Sequence, residues 1–170
     1  EFVTIMKGLW ADASPYSFDG NYYTLEKTQL HPKPVQRPGI KLYAGGESEA
    51  GKQTIVNHCD AYVMHGGTVE EVSVKIEDMK KRRHATGQAP LESFGLAAYI
   101  ICRDTEEEAV REWQRITDVK EDSAGYAGYD DFVSKSQLEQ QVKRNDYSVS
   151  NRGLRPDLIG TPEQIAERIL

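Results

Sequence analysis

Cysteine is scarce in this chain: Cys59 and Cys102 are its two thiols in 170 residues. They make no disulfide framework. Cys59 follows His58, but no second ligand pair stands at metal spacing, so no metal centre is expected. Both thiols are expected to be buried and reduced, in a cytoplasmic protein. Long apolar runs are missing too. The longest, residues 94–102, is far short of the ~20 residues that cross a bilayer, so no membrane partner is expected. No secretory leader is visible. Basic excess is absent: 21 Lys+Arg face 27 Asp+Glu, a net charge of −6, which argues against a nucleic-acid partner. The Gly-x-Gly-x-x-Gly fingerprint and the Walker loop are absent. No Ser-His-Asp order or cysteine nucleophile stands out. An initiator Met is lacking, and residues 1–10 read as the inside of a helix. The chain also stops in mid-helix after Ile165, and a piece of a longer protein is expected.

What is present is a soluble α/β pattern. Hydrophobic residues are 38% and charged residues 28%, enough for one core and its surface. Apolar positions Phe2, Ile5, Met6, Leu9 and Trp10 keep helical spacing. Asp19-Gly20 between aromatic-rich runs predicts a hairpin. Pro32, Pro34 and Pro38 predict an extended connector. A strand–loop–helix unit then occurs three times. Residues 41–44 lead through Gly45-Gly46 to a helix from about Ser48. Residues 60–64 lead through His65-Gly66-Gly67 to a helix opened by Thr68. Residues 94–102 lead through Arg103-Asp104 to a helix opened by Thr105. Thr68 with Glu71, Thr105 with Glu108, and Thr161 with Gln164 are capping boxes, the last with Pro162 in the first turn. Such repetition predicts parallel strands with right-handed crossovers. The remaining strands would come from outside the chain or from a second copy. Residues 120–158 break the pattern, with Gly125, Gly128, Tyr126, Tyr129 and Tyr147. This segment exceeds an ordinary βα connection and predicts a lid or an oligomer contact.

Gly45-Gly46-Glu47-Ser48 follows a strand and opens a helix. Its glycines allow backbone amides to approach an anion, the helix N-terminus carries partial positive charge, and Ser48 adds a hydroxyl. A tight turn with Ser48 as a plain N-cap fits the spacing equally well. His65 ends a strand, where parallel folds bind ligands. Tyr99 lies inside the third strand and reads as a core aromatic. Lys80-Lys81-Arg82-Arg83 reads as a solvated helix end whose cations complement the dipole.

At residues 42–48 the chain resembles the bacterial-luciferase-like flavin monooxygenases. Phe18-Asp19-Gly20, residues 32–38 and residues 159–164 carry the same resemblance in order. Residues 60–66 and 146–156 resemble the dimethyl-sulfone monooxygenases, with alkanesulfonate monooxygenases as near relatives. The resemblance implies an α/β fold: the C-terminal half of a (β/α)8 TIM barrel, with parallel strands, an N-terminal hairpin and a helical insertion. Residues 1–170 would form one partial domain, with 120–158 as insertion and lid. It implies an FMNH2-dependent monooxygenase that uses O2 to oxidise a small organosulfur compound such as dimethyl sulfone to methanesulfinate. Reduced FMN would come from a separate NAD(P)H-dependent FMN reductase, and the full-length protein would be a homo-oligomer. The chain alone is expected to be inactive, since it lacks half of the strand ends that build a barrel site. Gly45, Gly46, Glu47, Ser48 and His65 would hold the cofactor. Ser48 would meet the phosphate and Glu47 would orient an arginine of the other half. Tyr99, Asn151 and Arg152 would be catalytic. Alkanesulfonate relatives carry Arg-x-His on the seventh strand, and here those places are Ala97 and Tyr99, which suits a neutral sulfone. A deazaflavin-dependent oxidoreductase on the same barrel and a non-catalytic flavin-binding paralogue are the alternatives.

Overall fold

The computed structural model describes residues 1–11, 15–37, 39–118, 122–124, 126–128, 131 and 153–170. Helix α1 (Phe2–Trp10) buries Ile5. The carboxylate of Glu1 accepts the amides of Asn21 at 2.8 Å and Tyr22 at 3.0 Å. It thereby braces the loop between β1 (Tyr16–Asp19) and β2 (Thr24–Thr28). These strands form the expected antiparallel hairpin, with Asp19 opposite Thr24. Two lysines close helix ends, as cations do at the negative pole of the dipole. Lys33 Nζ donates to the Leu9 and Ala11 carbonyls, and Lys7 Nζ to the His58 carbonyl.

Three parallel strands follow in sequence order: β3 (Tyr43–Gly45), β4 (Ala61–His65) and β5 (Ser93–Ala97). Helix α2 (Glu49–His58) connects the first two, and α3 (Val69–Ala85) the next. Alternation along β4 divides its side chains between two faces. Tyr62 and Met64 pack with Ile55 and Val56 of α2 and Met79 of α3 in one apolar cluster, which Cys59 and Leu91 complete. Val63 and His65 take the opposite face. The register pairs Gly45 with Val63 and His65 with Ala97, so the carboxyl ends of the strands lie along one edge.

The third expected strand is not continuous. After β5 the chain leaves the ladder for Ala98, Tyr99 and Ile100, and resumes as β6 (Ile101–Cys102). The cause is a competing partner. The Tyr99 amide donates to the Gly153 carbonyl at 2.8 Å, and the Ile101 amide to the Leu158 carbonyl at 2.9 Å. β6 then pairs in parallel with β7 (Ile159–Gly160), a fourth strand position too short for periodicity to show. Helices α4 (Glu106–Thr117) and α5 (Pro162–Ile169) follow these strands. A second apolar cluster of Ile101, Ala109 and Leu154 lies between them.

Helix starts follow the expected caps with one difference. Thr68–Glu71 and Thr161–Gln164 form complete boxes. Thr105 accepts the Glu108 amide at 3.2 Å, while the Glu108 carboxylate lies 3.9 Å from Arg111, so that box is half made. Cys59 is buried as expected, but Cys102 is exposed because its two-residue strand has little cover. Among the described residues no helix is long and apolar enough to cross a membrane.

The charge run 80–83 also departs from expectation. Lys80 and Lys81 are solvated, but Arg83 is buried. Its guanidinium donates to the Ala89 carbonyl at 2.6 Å and the Val56 carbonyl at 2.5 Å, tying α3 to α2 and to the approach to β5. Arg82 forks onto Glu49 at 2.7 and 2.9 Å and reaches Asp78 at 2.8 Å. Lys52 reaches Asp78 from α2 at 3.1 Å. Burial pushes the Asp78 carboxyl up, but hydrogen bonds from Arg82 and Lys52 outweigh it and hold it below the usual aspartate range.

Hydrogen bonds to a charged group contribute about 1.5–3 kcal/mol each. Arg83→Ala, which strips two carbonyls of their donor, is expected to lower unfolding free energy by about 3 kcal/mol in urea titrations. Arg83→Lys should recover only part of that, and an unchanged midpoint for the alanine variant would show that these bonds contribute nothing. Because the folded-state pKa of Asp78 is lowered, its contribution is complete above the unfolded value of about 4 and fades as pH falls through the folded value. The stability gap between wild type and Asp78→Asn should therefore be full at neutral pH and close under acid. A gap that persists unchanged into strong acid would contradict this.

Candidate functional site

The edge formed by the carboxyl ends of β3, β4 and β5 opens into a cavity of about 300 Å³. Gly45, Gly46 and Glu47 line one side, and Val63, Met64, His65 and Ala97 the other. Register alone brings His65 beside the glycine turn. The turn itself is close-packed. A Cβ on Gly45 would lie 3.0 Å from the Val63 carbonyl oxygen, and one on Gly46 would lie 3.4 Å from Gly51 Cα. A side chain at either position would therefore press on the backbone of β4 or of α2.

Ser48 is the N-cap of α2: its Oγ accepts the Gly51 amide at 3.1 Å. Capping uses only the acceptor side of a hydroxyl, and its hydrogen stays available to donate. The cap and the anion ligand are therefore compatible roles for one side chain. Glu47 meets Lys75 Nζ of α3 at 2.7 Å, with both side chains mostly buried. The resemblance implies an arginine partner for Glu47, and this lysine had no motif to mark it. Behind the loop, Tyr62 is fully buried, and its hydroxyl has no hydrogen-bond partner among the described residues. Burial pushes the Tyr62 phenol up, and the nearby Glu47 and Asp78 charges push it further.

Tyr99 is not a core aromatic. It is 45% exposed, because Ala98–Ile100 leave the sheet and turn toward Gly153. Its ring lies so close to Gly153 that a Cβ there would sit 2.6 Å from Tyr99 Cε2. Arg155 makes a second tether, 3.3 Å from Glu71 in the first turn of α3. Residues 153–155 are thus held at the same edge as the cavity, once past β5 and once past β4. Neither Lys75 nor Arg155 was visible as a site residue in the sequence, since each is identified by a partner on another element. Asn151 and Arg152, and most of the segment 120–158, lie outside the described residues.

A second cavity, of about 270 Å³, lies at the opposite edge and is lined by Lys7, Trp10, Arg37, Lys41, Asp60 and Glu92 among others. Its charges are largely committed to one another and to backbone. Lys41 pairs with Glu92, Lys7 donates to His58, and Asp60 accepts the Leu42 amide. Parallel α/β folds place ligands at the carboxyl ends of strands, which favours the first cavity.

The luciferase-like monooxygenase profile matches residues 1–170. The chain belongs to this family. It is 34% identical over 184 residues to an FMNH2-dependent dimethylsulfone monooxygenase of Pseudomonas putida, covering 100% of this chain and 48% of that protein. It is 32% identical over 183 residues to the protein of the same name in Pseudomonas fluorescens (strain Pf0-1), covering 100% and 47%. The chain therefore spans about half the length of these curated relatives. Among solved structures it is similar to a long-chain alkane monooxygenase, with a TM-score of 0.74 and 16% identity over 99% of this chain and 46% of that one. That likeness concerns the fold: the described strands and helices are those of the C-terminal half of a luciferase-like (β/α)8 barrel. Four parallel strand positions and the preceding hairpin are present, as the resemblance implied.

The Tyr99–Gly153 contact is testable by a double-mutant cycle. Gly153→Ala forces the ring aside, and overpacking of this kind costs about 1–3 kcal/mol. In a Tyr99→Ala background the same change should cost much less. Strictly additive losses in denaturant titrations would show that the two residues do not touch.

Proposed function

We propose that the protein containing this chain is an FMNH2-dependent monooxygenase. Its substrate would be a small neutral organosulfur compound, the leading case being dimethyl sulfone, whose C–S bond would be cleaved oxidatively to give methanesulfinate and formaldehyde. The observation that carries this reading is the Gly45–Ser48 turn, which offers backbone and a hydroxyl hydrogen at a helix N-terminus beside a cavity. A phosphate monoester fits that cradle. Its oxygens need backbone amides and donors aimed from the first helical turn, and the glycine turn leads directly into α2. Gly45, Gly46 and Ser48 would hold the FMN phosphate, and His65 would stand beside the flavin end of the cavity.

Reduced FMN, supplied by an NAD(P)H-dependent flavin reductase, provides the electrons with which O2 is activated. The chain's own part is to bind, orient and keep water out. Ala97 lines the cavity as a small apolar surface. With Ala97 and Tyr99 where the alkanesulfonate relatives carry Arg and His, a sulfonate anion has no cation at that place to meet, which favours a neutral sulfone. Segment 120–158, which carries Asn151 and Arg152, would serve as the lid of a single partial domain, anchored at its exit through Gly153 and Arg155. Two relatives named as FMNH2-dependent dimethylsulfone monooxygenases support the cofactor and the substrate class. A cytoplasmic location and a homo-oligomeric full-length enzyme complete the proposal.

The test separates phosphate recognition from damage to the helix cap. In the full-length enzyme, Ser48→Ala removes one hydrogen bond to a charged group, so FMN affinity should fall about 10- to 150-fold. Riboflavin lacks the phosphate, and its affinity should barely move. Equal losses for both ligands would leave Ser48 as a cap alone. No loss for either would take the turn out of the binding site. Titration with a deazaflavin in parallel distinguishes the competing cofactor class.

A further inference from the structure

We propose that His65 donates the hydrogen bond that orients the sulfonyl group of the substrate in the cavity at the carboxyl ends of β3, β4 and β5. The inference deepens the reading of a neutral sulfone as substrate and rests on it.

The chemistry of the ligand sets what the wall must offer. A dialkyl sulfone carries no charge and no donor, and its polarity lies in oxygens that only accept. Taking them out of water without a donor is unfavourable. Most of the described lining offers them no side-chain donor: Val63, Met64 and Ala97 have none, and the Glu47 carboxylate, on the glycine side, can only accept. His65 lines the same cavity and can donate. A neutral imidazole carries an N–H whichever tautomer it takes, and a protonated one carries N–H on both nitrogens, so the ring is a donor in every state.

The fold places that donor at the rim of an apolar floor. His65 is the last residue of β4, and the alternation that buries Tyr62 and Met64 sends its side chain to the cavity face. The residue is exposed, and among the described residues no hydrogen bond or ion pair engages its ring. Register sets it opposite Ala97, whose methyl leaves the flank of the ring open. One row lower, Val63 stands between Gly45 and Gly95. The floor beneath the imidazole is therefore a branched side chain with a glycine on either side. A small sulfone rests its methyl groups on Val63 and Ala97 and turns an oxygen to the His65 N–H.

Binding is measured on the full-length enzyme with reduced FMN, anaerobically, by ligand-observed NMR, so that no turnover intervenes. Dimethyl sulfide is the control ligand, with the same methyl groups and no sulfonyl oxygen. His65→Ala is expected to weaken dimethyl sulfone about ten-fold or more and dimethyl sulfide less than about two-fold. FMN affinity, read by fluorescence quenching, should also move less than about two-fold. His65→Gln keeps an N–H donor and should return sulfone affinity to within about three-fold of wild type, with kcat/KM for the sulfone following the same order. The ring belongs to neither apolar cluster, so both substitutions spare the core. Unchanged sulfone affinity in His65→Ala would overturn the proposal. Equal losses for sulfone and sulfide would reduce the ring to a matter of shape, and a matching loss of FMN would make it a cofactor contact. Either result overturns the proposal, as does a glutamine variant no better than alanine. A wild-type enzyme that binds no sulfone overturns the substrate class and this role together. Sulfone binding that is indifferent to His65 removes the role and leaves the substrate class standing.

Discussion

Strand β4 is covered on its outer face by two helices at once, and the geometry of the site follows from that. Tyr62 and Met64 are buried against Ile55, Val56 and Met79, and a strand with period-two alternation then has no choice about Val63 and His65. A slip of one residue would send the polar histidine into the apolar cluster and the tyrosine into the cavity. Because β3 and β5 both pair with this strand, its register is passed to Gly45 on one side and Ala97 on the other. The helices that cover the sheet therefore also set where the glycine turn, the histidine and the apolar wall meet.

Charge is arranged to the same end. The α2–α3 contact has a ladder of ion pairs at its surface, Glu49–Arg82–Asp78–Lys52, and a buried arginine bound to two carbonyls beneath it. The Glu47–Lys75 pair continues this ladder to the mouth of the cavity. Partly exposed pairs contribute little individually, but together they add to the apolar contact that holds α2 against α3.

What could be read from residues alone was what local chemistry decides. Helix starts were legible because a threonine and the residue three places on are a self-contained unit, and the Asp19-Gly20 hairpin and strands β3 and β4 were legible for the same kind of reason. The break after β5 was not, because its cause is the Gly153 carbonyl, supplied from beyond the insertion. Nor was the burial of Arg83: four cations in a row give no sign that one of them turns inward to satisfy carbonyls. Ser48 is a subtler case. Cap and ligand stood as alternatives in the sequence, yet a hydroxyl that accepts with its oxygen can donate with its hydrogen, and the geometry at Gly51 keeps both open. Lys75 and Arg155 acquire meaning only through partners on other elements, which no spacing rule reports.

The close approach of Gly153 to Tyr99 has an architectural consequence. A chain segment clamped at Gly153 delivers Leu154, Ile159 and Gly160 to the same place whatever precedes it. The length and composition of what precedes it are then decoupled from the pairing of β6 with β7. The residues before Gly153 can then vary in sequence without renegotiating that pair of strands.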